Sequence, residues 1–193
     1  AGAVAAVTRT RHPISLARKV MEDSPHVFLA GEGANRFSTE RGLQQVDPSW
    51  FATPERRRQL EEMKARKVSA FDVDLKYGTV GAVARDQAGH VAAATSTGGL
   101  TGKRWGRIGD APIIGAGTYA DDRACARVRF KGESLKAAAD AVMAETKALG
   151  GTGGVIVTGP TGETAWSFNT PGMYRGLAGS DGERVVAIYG DEK

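Results

Sequence analysis

The segment Gly78-Thr79-Val80-Gly81-Ala82-Val83-Ala84, together with the residues that follow it, decides the fold of this chain. Residues 80–84 are small and apolar and predict a β-strand, and residues 90–94 predict its returning partner. Between them, Asp86-Gln87-Ala88-Gly89 has the composition of a tight turn. The sequence therefore predicts a central hairpin over residues 79–98, with Thr79 at its mouth.

Thr79 carries the chemistry that this hairpin predicts, and Thr95 and Thr97 are expected near the same edge. A threonine hydroxyl is a poor nucleophile without a nearby base. Cleavage of the Gly78–Thr79 bond would give Thr79 a free α-amine, with a reference pKa of about 8, within reach of its own hydroxyl. Gly78 has no side chain, so it can accept a strained backbone that leaves its carbonyl open to attack. Gly-Thr alone is better explained as the ordinary start of a hairpin strand, and it is the whole set of residues around it that favours a nucleophile.

Five segments, in order along the chain, resemble the isoaspartyl peptidase/plant-type L-asparaginase family. They are GTVGAVA at 78–84, AAATSTGGLT at 92–101, GRIGDAP at 106–112, GAGTYAD at 115–121 and FNTPGMYRG at 168–176. The resemblance covers nearly the whole chain and implies an N-terminal-nucleophile (Ntn) hydrolase. Its fold would be α+β, a four-layer αββα sandwich. Strands clustered in hairpins, with helices grouped elsewhere, favour the same layered arrangement.

The resemblance also implies how the chain is divided. Residues 1–193 would form a single Ntn-hydrolase domain, which self-cleavage separates into an α part, 1–78, and a β part, 79–193, that stay together. Residues 43–70 are charged and contain two prolines, which is typical of a surface segment. We expect them to contain a charged helix at 54–67 and to act as a mobile linker that is released after cleavage.

The site residues follow from the resemblance position by position. Thr79 would be the nucleophile and new N-terminus, Thr97 the residue whose hydroxyl supports it, Arg107 the clamp for the substrate α-carboxylate, and Asp110 the acceptor for the substrate α-ammonium group, with Thr95 and Gly99 in supporting roles. A planar guanidinium binds a carboxylate through two parallel hydrogen bonds. Outside this setting, Arg107 and Asp110 would be interpreted as a surface ion pair.

The expected substrate is a small molecule, either L-asparagine or a β-aspartyl (isoaspartyl) dipeptide. The resemblance implies no redox or organic cofactor and allows a structural sodium or potassium ion. It also implies a cytoplasmic protein that assembles as a dimer of αβ heterodimers. A threonine endopeptidase is a related alternative, but Arg107 and Asp110 favour a substrate with a free amino-acid end.

Two segments typical of the family have no counterpart in this sequence. Family members have a long stretch before the strand at 1–7. After the strand at 125–130 they continue into a Thr-Gly-x-Gly-Glu segment, whose Thr-Gly pair supplies the oxyanion hole. Here the chain passes directly to Lys131-Gly132-Glu133. The alternative hypothesis is therefore a non-catalytic or uncleaved remnant that serves as an interaction subunit.

Composition limits the remaining function classes. The chain has 193 residues, of which 41% are hydrophobic and 25% are charged, as in a globular domain with a sizeable core. No run approaches the roughly 20 apolar residues of a membrane span. The single cysteine, Cys125, excludes an internal disulfide, and the three histidines lack metal-ligand spacing.

A net charge of +4 keeps polyanion binding as a weak third hypothesis. The basic residues cluster at 56–58 and 64–67, where glutamates interrupt them. Mixed charges at helical spacing are typical of a solvated helix face, so we expect no nucleic-acid partner.

Patterning predicts the other elements of the chain. Strands are expected at 1–7, 26–30, 112–120, 125–130, 153–158, 163–168 and 184–189, helices at 13–23, 34–41 and 134–149, and a loop at 169–175.

Overall fold

The computed structural model describes residues 1–66, 78–122 and 131–192, and this part of the chain is mixed α/β. In order its elements are β1 Ala3–Ala5, α1 Pro13–Asp23, β2 Phe28–Ala30, α2 Gly31–Glu40, a 3₁₀ helix Pro48–Phe51, α3 Pro54–Arg66, β3 Val80–Arg85, β4 Val91–Ser96, α4 Leu135–Ala148, β5 Gly154–Thr158, β6 Thr164–Phe168, β7 Arg175–Ala178 and β8 Arg184–Ala187. The strands pair as β1–β2, β3–β4, β5–β6 and β7–β8. Within the described ranges, no helix is long and apolar enough to cross a bilayer.

The chain divides into two compact units, one formed by Ala1–Gly81 with Ala93–Tyr119 and the other by Ala82–Ala92 with Ala120–Lys193. In the first unit, β1 and β2 are parallel and α1 covers them. Pro13 sits in the first turn of α1, where its missing N–H costs nothing. Leu16 and Val20, one turn apart, are fully buried. They form the centre of this small core.

Helix α3 packs one face against the loop that follows β4. Gln59 and Met63 on that face are buried, and the Met63 methyl group lies 2.9 Å from where a β-carbon at Gly102 would be. The opposite face carries the ion pairs of Arg58 with Glu55 and with Glu62. The hydrogen bonds that Arg58 donates to the Glu55 carboxylate raise the pKa of Arg58. The charged helix expected at 54–67 is therefore present, with a solvated face and a packed one.

In the second unit, α4 packs against the hairpin of β5 and β6. Ser134 caps α4 as expected, because its hydroxyl accepts a hydrogen bond from the Ala137 N–H at 3.2 Å. The buried side of the helix consists of apolar residues, two of them alanines: Leu135, Ala138, Ala139 and Met143. Strands β5 and β6 are antiparallel, with Ile156 opposite Trp166.

The FNTPGMYRG motif has a structural explanation in this unit. Asn169 bridges two loops, since its Oδ1 accepts from the Gly153 N–H at 2.8 Å and its Nδ2 donates to the Gly151 carbonyl at 3.0 Å. Arg175 is 8% exposed and its guanidinium lies 5.2 Å from the Trp166 ring centre. Its nitrogens donate to the carbonyls of Met173, Tyr189 and Glu192. The motif thus joins β6 to the C-terminal turn.

The sequence-based elements are largely confirmed, with two corrections. Residues 112–120 are not a strand but a series of turns, because Gly115 has φ +85° and Gly117 folds back to the Asp110 carbonyl. The expected loop at 169–175 ends earlier, since Arg175 begins β7, a strand the patterning missed. The strand expected at 125–130, including Cys125, lies outside the described residues.

We expect Arg175→Lys to lower the free energy of unfolding by about 1–3 kcal/mol, because a lysine cannot reach three carbonyls in different directions and leaves buried acceptors unmet. Chemical unfolding followed by tryptophan fluorescence measures the change. Arg184 on β8 is exposed, so Arg184→Lys is the matched control and should change the free energy of unfolding little. Equal midpoints for the two variants would contradict the assigned role.

Candidate functional site

Thr79 and Thr97 form the centre of the candidate active site. Thr79 immediately precedes β3 and Thr97 immediately follows β4, so pairing of the two strands brings them to one edge. The Thr79 hydroxyl donates to Thr97 Oγ1 at 3.0 Å. Both residues are exposed, so a small molecule can reach the Thr79 hydroxyl.

The Thr97 hydroxyl is held by the glycine-rich segment that follows it. The Gly99 N–H donates to Thr97 Oγ1 at 3.0 Å, and Gly99 has φ +79°, a conformation that favours glycine. The Lys103 side chain reaches back to the start of this segment, where its Nζ donates to the Gly98 carbonyl at 2.8 Å. Thr97 Oγ1 therefore accepts two hydrogen bonds, which fix its position beside Thr79.

Arg107 follows a loop in which three residues have a left-handed backbone conformation. Gly102, Trp105 and Gly106 have φ values of +75°, +53° and +72°. Trp105 is a non-glycine residue in this region and is 95% exposed. Arg107 Nη1 lies 2.9 Å from where a β-carbon at Gly109 would be, so the exposed guanidinium lies directly over that glycine.

Asp110 lies at the start of a tight turn. Its carbonyl accepts from the N–H groups of Ile113 at 2.8 Å and Gly117 at 3.2 Å. A β-carbon at Gly117 would lie 2.5 Å from that carbonyl oxygen, so only glycine fits. The turn leaves the Asp110 side chain exposed.

Thr95 belongs to this turn rather than to the Thr79 pair. Its hydroxyl donates to the Gly117 carbonyl at 3.2 Å and is hydrogen-bonded to the Thr118 hydroxyl. Thr118 Oγ1 also lies 3.4 Å from the Ala111 carbonyl. Thr95 therefore connects β4 to the backbone that carries Asp110.

Gly78 is in contact with helix α3. A β-carbon at Gly78 would lie 2.5 Å from Arg56 Nη2. Gly78 does not have a positive φ. The Arg56 guanidinium fills the space that a side chain at position 78 would need.

The structure groups the expected site residues into two networks. Thr79, Thr97 and Gly99 share one network, and Thr95 shares the other with the turn after Asp110. Across residues 1–66, 78–122 and 131–192, neither Arg107 nor Asp110 forms an ion pair, so they do not form the surface pair considered above. Over the same ranges, no group of three or more His, Cys, Asp and Glu side chains could hold a metal ion.

Two residues that contact the surroundings of the expected site residues were not identified from the sequence. Gly117 was assigned to a strand, although glycines at 115 and 117 are more typical of a turn. Arg56 lies 22 positions before Gly78 in a run of three arginines, and no local pattern distinguishes it from its neighbours.

Curated relatives match nearly the whole chain. An isoaspartyl peptidase of Salmonella typhimurium is 43% identical over 218 aligned positions, covering 98% of this chain and 70% of the relative. An isoaspartyl peptidase of Escherichia coli is 41% identical, covering 98% and 68%. An isoaspartyl peptidase/L-asparaginase of Bos taurus is 37% identical, covering 99% and 69%.

The alignment with the Salmonella typhimurium protein is longer than the 193 residues of this chain, so that relative has internal positions without a counterpart here. The profile of the family described as Asparaginase matches in two parts, residues 1–128 and 123–188. The two parts overlap just before Lys131, where we expect the Thr-Gly-x-Gly-Glu segment to be missing. These matches, and the order of the site motifs, show that this chain belongs to the asparaginase family of hydrolases.

Proposed function

We propose that this protein is a self-activating threonine hydrolase that cleaves L-asparagine and β-aspartyl dipeptides. The observation that carries the proposal is the hydrogen bond of 3.0 Å between the hydroxyls of Thr79 and Thr97. It joins the residues that the family resemblance assigns as nucleophile and supporting hydroxyl. The names of the bacterial and bovine relatives supply the substrate class.

Maturation begins with attack of Thr79 Oγ1 on the Gly78 carbonyl carbon. The Gly78–Thr79 C–N bond then breaks, the nitrogen takes up the proton that the hydroxyl loses, and an ester links Gly78 to Thr79 Oγ1. Water hydrolyses this ester. The products are a Gly78 carboxylate and a Thr79 with a restored hydroxyl and a free α-amine.

The α-amine is the base in turnover because Thr97 cannot take that role. Thr97 offers a hydroxyl, which is far too weakly basic to hold a proton near neutral pH, so it can orient Thr79 but not deprotonate it. The Thr79 amine accepts the hydroxyl proton as Oγ1 attacks the substrate side-chain carbonyl. The proton leaves with ammonia or the amino acid, and water then releases aspartate from the acyl-enzyme.

Arg107 and Asp110 bind the free amino-acid end of the substrate in this proposal. Both side chains are exposed and without ion-pair partners in the described part of the chain, so neither must give up an existing bond to accept a ligand. The guanidinium pairs with the α-carboxylate through parallel hydrogen bonds, and the Asp110 carboxylate accepts from the α-ammonium group. Thr95 positions Asp110, and Gly99 positions Thr97.

The second candidate function is an uncleaved remnant that acts as an interaction subunit. The internal positions that the Salmonella typhimurium relative has and this chain lacks favour it. An oxyanion-hole donor contributes about a hundred- to a thousandfold in rate, so its loss would lower the rates of both self-cleavage and turnover.

Other features of the family stay predictions for this chain. They are the four-layer αββα sandwich, the single domain cut into residues 1–78 and 79–193, the mobility of residues 43–70, the dimer of αβ heterodimers, the cytoplasmic location, and the sodium or potassium ion.

Thr79→Ala should abolish both self-cleavage and turnover, because it removes the attacking oxygen. Intact mass under denaturing conditions, followed over days at neutral pH, measures cleavage, and ammonia release from asparagine measures turnover. Thr79→Ser is the matched control and should still cleave, since it keeps the hydroxyl. A chain cut before residue 79 in the alanine variant would refute Thr79 as nucleophile, and an uncut wild-type chain that is folded would favour the remnant.

Thr97→Val should lower kcat for asparagine by about three- to tenfold, the loss of one hydrogen bond that orients the nucleophile. Thr97→Ser keeps the oxygen and should stay near the wild-type value. Steady-state kinetics on protein already cut before Thr79 isolate this effect from maturation. If valine and serine at position 97 gave the same kcat, the hydroxyl would have no part in turnover.

Arg107→Ala should raise KM for asparagine by about ten- to hundredfold, because a charge-assisted bond to the carboxylate is lost. Self-cleavage should proceed normally, since the bond at Gly78 has no α-carboxylate. Arg104→Ala, three positions earlier on the same exposed loop, is the control. Loss of self-cleavage in the Arg107 variant would assign this arginine a structural role instead.

A further inference from the structure

We infer that Arg56 is a positioning residue for self-cleavage, holding Gly78 in place before the Gly78–Thr79 bond is cut. The inference rests on the proposed self-cleavage and names a participant that lies outside the five family segments. It is carried by the contacts of the Arg56 guanidinium with Gln59, Thr101 and Gly78, which belong to the first unit.

The guanidinium is fixed from two sides. Arg56 Nη1 donates to Gln59 Oε1 at 2.9 Å, one turn along α3, and to Thr101 Oγ1 at 3.3 Å, in the loop after β4. Gln59 is itself buried and its Nε2 donates to Glu55 Oε1 at 2.9 Å. The arginine is therefore directed by a set of hydrogen bonds rather than extended into solvent.

The packed face of α3 explains this direction. Positions 56, 59, 60 and 63 are spaced as neighbours on one side of a helix, and this side meets Thr101 and Gly102. The next residue, Arg57, lies off this face and is exposed. Two adjacent arginines thus have different surroundings, although the sequence does not distinguish them.

The Arg56 guanidinium occupies the space that a side chain at position 78 would need. Nη2 lies 2.5 Å, and Cζ 3.6 Å, from where a β-carbon at Gly78 would be. Any side chain at position 78 would push the guanidinium away. Because a flexible arginine can move, the fold would tolerate this displacement, but the contact would be lost.

This contact bears on self-cleavage because Gly78 contributes the carbonyl group of the peptide bond that is cut. Attack by the Thr79 hydroxyl requires the Gly78 carbonyl carbon to lie in a productive position, and a misplacement of about 1 Å can cost roughly a hundredfold in rate. Arg56 contacts Gly78 on the side where a β-carbon would be, and so limits how far this residue can shift. The hydrogen bond to Thr101 links the same guanidinium to the loop that follows β4.

The test compares first-order self-cleavage rates by intact mass at neutral pH. Arg56→Ala should cleave about tenfold more slowly or worse, whereas Arg57→Ala, the matched control, should stay within about twofold of wild type. Arg56→Lys keeps the positive charge but lacks the planar guanidinium with its several donors, so its cleavage rate should fall between those of the two alanine variants. Circular dichroism should show the same helix content in all three variants. Once cut, Arg56→Ala should turn over asparagine as wild type does.

A double-mutant cycle with Gly78→Ala tests the contact itself. If the added methyl acts by displacing Arg56, the double variant Gly78→Ala with Arg56→Ala should cleave no more slowly than the slower single variant. Independent, multiplying effects would overturn the inference. Cleavage of Arg56→Ala at the wild-type rate would overturn it while leaving self-cleavage intact, and a folded wild-type chain that is never cut would overturn both.

Discussion

The hydrogen bond between the Thr79 and Thr97 hydroxyls depends on a second one, from the Gly99 amide to the same Thr97 oxygen. A hydroxyl that accepts a backbone N–H has its oxygen fixed, and it can then orient a second hydroxyl. The chain takes a left-handed conformation at Gly99 and continues from there into the loop that carries Arg107 and Asp110.

The same loop explains why so many of its residues are small. Between Gly99 and Gly117 the chain reverses direction several times, and at Gly117 a side chain would collide with the backbone of Asp110. Thr95 ties the end of this turn back to β4. Arg107 and Asp110 therefore stand on a loop that is short of apolar packing but well connected by backbone hydrogen bonds.

Sequence patterning located the hairpin and the helices at 13–23 and 134–149, because these depend on local periodicity and capping. The roles expected for Thr79 and Thr97 came from the family resemblance, and pairing of β3 with β4 brings the two hydroxyls together. It failed where distant backbone contacts decide conformation, as at residues 112–120, whose small apolar composition fits a strand. It could not separate Arg56 from Arg57, because their difference arises only when α3 packs against Thr101. Thr95 was expected near the same edge of the hairpin as Thr79, and its hydroxyl is hydrogen-bonded to the Gly117 carbonyl and the Thr118 hydroxyl.

Trp105 stands two residues before Arg107, almost fully in water and in a backbone conformation that few non-glycine residues adopt. An indole in that setting emits as a solvated fluorophore, and its emission changes when a neighbouring group is desolvated or the loop rotates. The other tryptophans, Trp50 and Trp166, are both less exposed. The loop that carries Arg107 therefore contains its own optical probe, whose emission can report changes in the surroundings of this loop without a label.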